Sequence, residues 1–204
     1  MSFLAGQFAG SFLPRPWDTF VKMPPWFNLA NLFTLVRLLL VPFVIQAIVA
    51  PRPMLALALF GAAAVTDILD GAAARGLKLT TPVGAYFDPI ADKILLSSVF
   101  IALAAQGSVP WWLVAVVLGR DLYILVGAGI FLAATRVRKF PPSVWGKLST
   151  FVQILTVVAW MAWNWLQISF LHTVSAAMIW ICAACTIWSG LHYTWRGIQV
   201  ARAD

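Results

Sequence analysis

Charge is scarce in this sequence. Of its 204 residues only 10% are charged while 62% are hydrophobic, and glutamate is absent altogether. A soluble domain carries about 25% charged residues. Too few are present here to clothe a core this oily, which argues against a water-soluble helical protein and for an integral membrane protein, mostly helix, forming one membrane domain. A basic region ahead of the first apolar run is missing, as is a small-residue cleavage pattern after it, so no cleavable signal peptide is expected. Cysteine is limited to Cys182 and Cys185. Their CxxC spacing can serve redox or metal chemistry. Set in IWICAACTIW, they read instead as small apolar residues on one face of a buried helix. His172 and His192 have no partner at metal spacing and are expected at the interface or in hydrogen bonds. No internal repeat or low-complexity tract interrupts the chain.

What is present is a series of apolar runs near the roughly 20 residues needed to cross a bilayer. Six are readable, at approximately 29–50, 53–74, 85–106, 109–134, 146–167 and 171–195. Positive charge is divided unevenly between their connections. Those around PRP, QGSVP and QISFLHT carry a single arginine, Arg52. Arg15, Lys22, Arg75, Lys78, Arg136, Arg138, Lys139, Lys147, Arg196 and Arg202 fall on the other side. The positive-inside rule then turns both termini toward the cytoplasm. The expected architecture is an all-α integral membrane fold: six transmembrane helices in residues 28–204, preceded by residues 1–27. In that first segment Trp17, Phe20, Trp26 and Phe27 lie beside Arg15 and Lys22, which suits a short helix in the membrane interface. A net charge of +7 would suggest nucleic acid in a soluble protein. Here topology and anionic lipid or phosphate ligands account for it, and no nucleic-acid partner is expected.

The acidic residues are not spread over this architecture. Four of the seven, Asp67, Asp70, Asp88 and Asp92, fall between Thr66 and Lys93. Asp67 and Asp70 are three apart and share a helix face; Asp88 and Asp92 are four apart and do the same. Gly76, Pro82 and Gly84 read as a helix break and turn between the pairs. Two helices joined at the membrane surface would thus present carboxylates to each other. Converging carboxylates repel, and each charge in a membrane costs at least a few kcal/mol. Divalent cations relieve both penalties. An all-carboxylate oxygen set suits Mg²⁺, Mn²⁺ or Ca²⁺ and suits Zn²⁺ poorly. Four carboxylates are enough for two such ions, a common arrangement for displacement at phosphorus. The small residues Gly71 to Ala74 leave room for a nucleotide or pyrophosphate to approach the backbone, and Arg75 could make a forked contact with phosphate. The structural alternative is salt bridging by Arg75, Lys78 and Lys93, but four aspartates on two facing helices are a costly way to pack.

The spacing of Asp67, Asp70, Gly71, Ala74, Arg75, Gly84, Asp88 and Asp92 resembles the signature of the CDP-alcohol phosphotransferase family, with every specified position filled. The resemblance implies six membrane helices, usually in a homodimer, with a divalent-metal site at the cytoplasmic end of the second and third. It implies an enzyme that moves a substituted phosphate from a CDP-linked donor to an alcohol and releases CMP. Asp67, Asp70 and Asp88 resemble the metal ligands, and Asp92 resembles the aspartate that also borders the metals and acts as general base. Gly71, Ala74 and Arg75 match contacts to the cytidine nucleotide, and Gly84 a position of close helix approach. The cofactors implied are two divalent cations, Mg²⁺ first and Mn²⁺ second. A membrane-embedded site suits a lipid donor, CDP-diacylglycerol, drawn from the bilayer. A bacterial inner membrane, with the site facing the cytoplasm, is the expected location.

The acceptor is written less clearly. Asn28, Asn31, Thr34 and Arg37 form a polar stripe on the first span, serving either interhelical hydrogen bonds or the donor; Asn31 and Thr34 are donor-binding candidates. The stripe is similar to the start of family members that make phosphatidylglycerophosphate. In GRD, Arg120 and Asp121 are adjacent opposite charges, expected to point in different directions and to have separate partners. Arg120 either reaches an acceptor phosphate or forms a buried ion pair. Arg138 and Lys147, with Arg136 and Lys139, make a basic rim. Arg120, Arg138 and Lys147 are therefore the acceptor-binding candidates. Glycerol 3-phosphate is the first choice of acceptor. Phosphatidylglycerol, which would make the protein a cardiolipin synthase, is the alternative favoured by GRD and HYTWRGIQV, and an inositol phosphate comes third. An ion path in a transporter would distribute carboxylates through the membrane depth; these cluster at one surface.

Overall fold

The computed structural model describes residues 29–77, 82–134 and 143–201, with side chains for 34–66, 90–127, 129 and 143–199. Among them are six helices and no strand: α1 Leu29–Val49, α2 Pro53–Leu77, α3 Pro82–Ala105, α4 Trp111–Ala134, α5 Val144–Leu166 and α6 Ser169–Ala201. Each apolar run of the sequence is thus one helix. The shortest, α1 with 21 residues, is about 32 Å long at 1.5 Å per residue. By composition, α5 over Val144–Leu166 and α6 over Ser169–Gln199 are long and apolar enough to cross a membrane; Thr34–Val49 and Pro53–Thr66 are shorter apolar stretches. The expected interfacial segment 1–27 lies outside the described residues.

Local chemistry sets several helix ends. Ser143 has extended backbone and caps α5, its hydroxyl accepting from the Trp145 N–H at 3.2 Å, so one orphan donor of the first turn is satisfied. At the other end Gln167 adopts a left-handed conformation (φ 54°) and its N–H closes on the Trp163 carbonyl at 2.9 Å. Gly107, at φ 77°, makes the tight turn from α3 to α4, where a side chain would be strained. Pro42 sits inside α1 and removes one backbone donor, a defect that membrane helices accommodate through neighbouring groups.

Exposure is inverted relative to a protein in water. Leu35, Leu39, Phe43, Leu125, Phe170, Trp180, Trp188 and Leu191 stand on the outer surface, whereas Arg37, Ser149, Gln153, Thr156, Ser175, Thr186 and Ser189 are buried. Soluble domains bury the first kind and expose the second. An apolar exterior with polar groups pairing between helices is how bundles associate in lipid, where packing and hydrogen bonds replace the hydrophobic drive. Ser149, Gln153 and Thr186 form one such buried network between α5 and α6. Fold and surface are those of a membrane protein.

Helix α1 packs on α2 and α3; α3 also meets α4 and α5; α5 packs on α6 and α2, and α6 on α4. Having three neighbours, α3 buries a broad face, Ala91, Leu95, Leu96, Val99, Phe100 and Leu103, and leaves a narrow one exposed at Ile90, Ile94 and Ile101. On α1 the buried set Thr34, Arg37, Val41, Val44 and Ile48 recurs every three or four residues, a single inward stripe. The stripe is polar at its N-terminal end and apolar thereafter. At the C-terminal ends of α1, α3 and α5 the partners are neutral. The Gln106 amide donates to the Ile48 carbonyl, Asn164 donates to Ser108 at 3.0 Å, and Gln167 donates to the Asn164 carbonyl at 3.1 Å. A cavity of about 450 Å³ opens there among Ile48, Leu103, Gln106, Met161 and Asn164.

Candidate active site

The aspartate-rich stretch straddles the connection from α2 to α3. Asp67, Asp70, Gly71, Ala74 and Arg75 belong to the later turns of α2, Gly84 and Asp88 to the early turns of α3, and Asp92 lies near the middle of α3. The side chains of Asp67, Asp70, Ala74, Arg75 and Asp88, like that of Asn31 and the whole of Arg138, lie outside the described residues. Asp92 is described, and α1 supplies its partner. Arg37 donates from Nη1 to Asp92 Oδ1; the arginine side chain is 1% exposed, the carboxylate 47%. A guanidinium buried that deeply without counter-charge would cost several kcal/mol, so this pair fixes α1 against α3. Thr34, one turn earlier, is buried on the same stripe.

Of the two roles open to the polar stripe of α1, interhelical bonding or donor contact, the described contacts give Arg37 the first, through Asp92. Arg37 is the one charge in α1. Periodicity could place it on the inward stripe, but its partner, 55 residues away on another helix, is a fact of tertiary packing.

A second charged cluster begins on the next residue of α3. Lys93 Nζ donates to Asp121 Oδ2 at 2.7 Å, and Arg120 Nη1 donates to Asp121 Oδ1 at 2.7 Å. The expectation that Arg120 and Asp121 point apart is therefore corrected. The guanidinium curls back along its long stem to bond the neighbouring carboxylate directly. Each also has the further partner expected of it: Lys93 for Asp121, and Ser189 on α6 for Arg120 Nη2. Lys93, a candidate to neutralise the metal-site aspartates, is drawn to Asp121.

The cluster continues to the start of α5. The Arg120 guanidinium lies 6.0 Å from the Tyr193 ring centre. The Tyr193 hydroxyl accepts from the Ser143 N–H at 3.2 Å, and the Ser143 hydroxyl meets His192 Nδ1 at 3.2 Å. Gly146 makes the approach possible: a Cβ there would sit 3.2 Å from the Tyr193 ring and 3.4 Å from Arg120 Nη2. Lys147, on the same turn, is exposed. A cation in the first turn opposes the helix dipole, so its charge is not there for the stability of α5. Thr150 and Gln153, which follow at steps of three, bond within the protein.

The remaining candidates are structural. His172 packs among Trp160 and Trp163 with ring centres 6.1 and 4.9 Å away. Cys182 is buried, Cys185 partly so, and both are free thiols. Among the described residues no three His, Cys, Asp or Glu side chains gather as a metal site; of the four aspartates in the stretch, Asp92 alone is described by its side chain.

An apolar helical bundle whose ionic pairs, among the described residues, gather where the middle of α3 meets α1 and α4, with Arg120 reaching the start of α5, defines a class: a helical membrane protein with an inner polar site. The comparisons narrow that class. Residues 27–188 match the model of the CDP-alcohol phosphatidyltransferase family. A protein of Mycobacterium tuberculosis named probable phosphatidylglycerophosphate synthase is 35% identical over 179 residues, 84% of this chain and 82% of its own. Proteins named CDP-diacylglycerol–glycerol-3-phosphate 3-phosphatidyltransferase, from Pectobacterium atrosepticum and Escherichia coli K12, are 33% and 31% identical, each over 87% of this chain and 97% of their own. The chain belongs to the CDP-alcohol phosphatidyltransferase family.

Proposed function

We propose that this chain is an enzyme of phospholipid synthesis that transfers the phosphatidyl group of CDP-diacylglycerol to the hydroxyl of glycerol 3-phosphate, forming phosphatidylglycerophosphate and releasing CMP. Relatives at 31–35% identity carry the name of this reaction. The observation that carries the reading is the adjacency, on one turn of α3, of Asp92 at the end of the acidic stretch and Lys93 at the start of the basic cluster. A reaction between a metal-bound pyrophosphate and an anionic acceptor needs those two environments side by side. The transporter reading gains no support: among the described residues, the opposite end of the bundle is held by neutral amides.

The residues fit a pair of hard divalent cations, Mg²⁺ or Mn²⁺, because the donor set is carboxylate oxygen throughout and the Asp92 carboxylate is half-exposed. Asp67, Asp70, Asp88 and Asp92 would hold them. When bound, such ions polarise the pyrophosphate and neutralise the charge that develops on it. The chain supplies the rest. Gly71, Ala74 and Arg75, with Asn31 and Thr34, hold the donor. Arg120, Arg138 and Lys147 receive the acceptor phosphate. Asp92 takes the proton from the acceptor hydroxyl as its oxygen bonds to the lipid-linked phosphorus. The bond from that phosphorus to the oxygen of CMP breaks, and CMP leaves. Arg37 holds Asp92 in place.

In this reading residues 28–204 form a six-span domain, residues 1–27 lie in the interface, and the protein is a homodimer. The bilayer is a bacterial inner membrane, with both termini and the site cytoplasmic. The acyl chains of the donor stay in the bilayer while its pyrophosphate reaches the charged site. Purified protein given CDP-diacylglycerol and Mg²⁺ with labelled glycerol 3-phosphate, phosphatidylglycerol or inositol phosphate tests the choice. Label is expected in phosphatidylglycerophosphate. Incorporation from phosphatidylglycerol alone would make it a cardiolipin synthase, and incorporation from none would sink phosphatidyl transfer.

A further inference from the structure

Asp121 takes no part in the chemistry above, yet both of its oxygens are engaged by cations from different helices. Oδ2 accepts from Lys93 on α3 and Oδ1 from Arg120 on α4, each at 2.7 Å. The carboxylate is 14% exposed and the arginine 9%. Two cations on one carboxylate leave the trio with a charge of +1, so this is more than a neutralising pair. Hydrogen-bonding capacity is also left over. Arg120 Nε is buried and has no acceptor among the described residues, which is uncommon for a buried polar atom. The Lys93 side chain remains 37% exposed, with two N–H groups beyond the one given to Asp121.

We propose that Asp121 is the positioning residue of the acceptor site: it holds Arg120 and Lys93 so that both present N–H groups to the acceptor's phosphate, with the acceptor hydroxyl directed at Asp92. The inference rests on the reading of glycerol 3-phosphate as acceptor. Lysine is a point charge on a flexible stem and arginine a planar fork. Held by one carboxylate, they form a fixed dianion receptor next to the base. With a neutral residue at 121 the two cations repel, and Lys93 is free to swing toward solvent or Asp92.

The test is steady-state kinetics of purified Asp121→Asn and Asp121→Glu, with both substrates varied and thermal unfolding recorded. Asp121→Asn is expected to raise the KM for glycerol 3-phosphate by roughly 30-fold, the scale of one charge-assisted contact. Its kcat should fall less than about threefold and the KM for CDP-diacylglycerol should hold, because a specific loss of acceptor binding moves one KM only. Asp121→Glu should recover most of the loss. Should Asp121→Asn fail to fold, Lys93→Gln keeps the Arg120–Asp121 pair and is expected to raise the same KM by about fivefold. An unchanged acceptor KM in the folded variants, or equal loss toward donor and acceptor, overturns the inference and leaves the proposed reaction standing. Failure of the wild-type protein to use glycerol 3-phosphate overturns both.

Discussion

Two levels of the bundle, one end and the middle, solve the same packing problem with different chemistry. Where α1, α3 and α5 finish, helices are tied by neutral groups: Gln106 to the Ile48 carbonyl, Asn164 to Ser108, Gln167 to the Asn164 carbonyl. Near the middle of α1, α3 and α4 the ties are ionic: Arg37 with Asp92, and Lys93 and Arg120 with Asp121. Neutral hydrogen bonds between membrane helices contribute about 0.6 kcal/mol on average, whereas each buried charge must first overcome a desolvation penalty of several kcal/mol. The neutral end demonstrates that this fold can be joined without charge. Charge at the other level is therefore not required to join the helices.

That contrast can be broken most severely at the acidic stretch. Chelation of divalent cations should abolish CMP release, and added Mg²⁺ should restore it; full activity in excess chelator would remove the metals from the account. Asp92→Asn should lower turnover about 10³-fold, the scale of a lost general base, while binding of labelled CDP-diacylglycerol falls less than about tenfold. Parallel loss of turnover and donor binding would take Asp92 out of that role. Arg37→Met leaves Asp92 without its partner on α1 and is expected to destabilise the protein by about 3 kcal/mol, read as a fall in the midpoint of thermal unfolding. A smaller effect is expected from Gly146→Ala. The new methyl must displace the Tyr193 ring or Arg120, raising the KM for glycerol 3-phosphate by about threefold with little change in stability. Smallest of all, Asn164→Leu at the neutral end should change stability by less than about 1 kcal/mol and leave CMP release within twofold of wild type. A large loss of turnover there would erase the distinction between the two levels.

Much of this was legible in the sequence because lipid simplifies the code. Long apolar runs have few alternatives to helix, and each of the six runs became one. The boundaries moved where charge mimicked a loop. The second span, read as ending near 74, continues to Leu77, and the third, read from 85, begins at Pro82. Proline is well suited to the first position of a helix, where its missing N–H has no bond to lose. The sixth helix runs past its apolar stretch to Ala201, because HYTWRGIQV contains nothing that stops a helix. The candidate site was named from the sequence alone for a related reason: aspartates three and four apart in two apolar runs are rarely placed for packing. Partner choice was not legible. Arg37 finds Asp92 and Lys93 finds Asp121 through contacts between helices, and no spacing along one helix encodes which neighbour a long side chain will reach.

CMP release by purified wild-type protein and Asp92→Asn, measured side by side with CDP-diacylglycerol and Mg²⁺, with and without glycerol 3-phosphate, tests the central claim most directly. The account predicts release by the wild type that requires glycerol 3-phosphate and matches phosphatidylglycerophosphate mole for mole, and almost none from the variant. Release that ignores the acceptor, or that survives in Asp92→Asn, would contradict it.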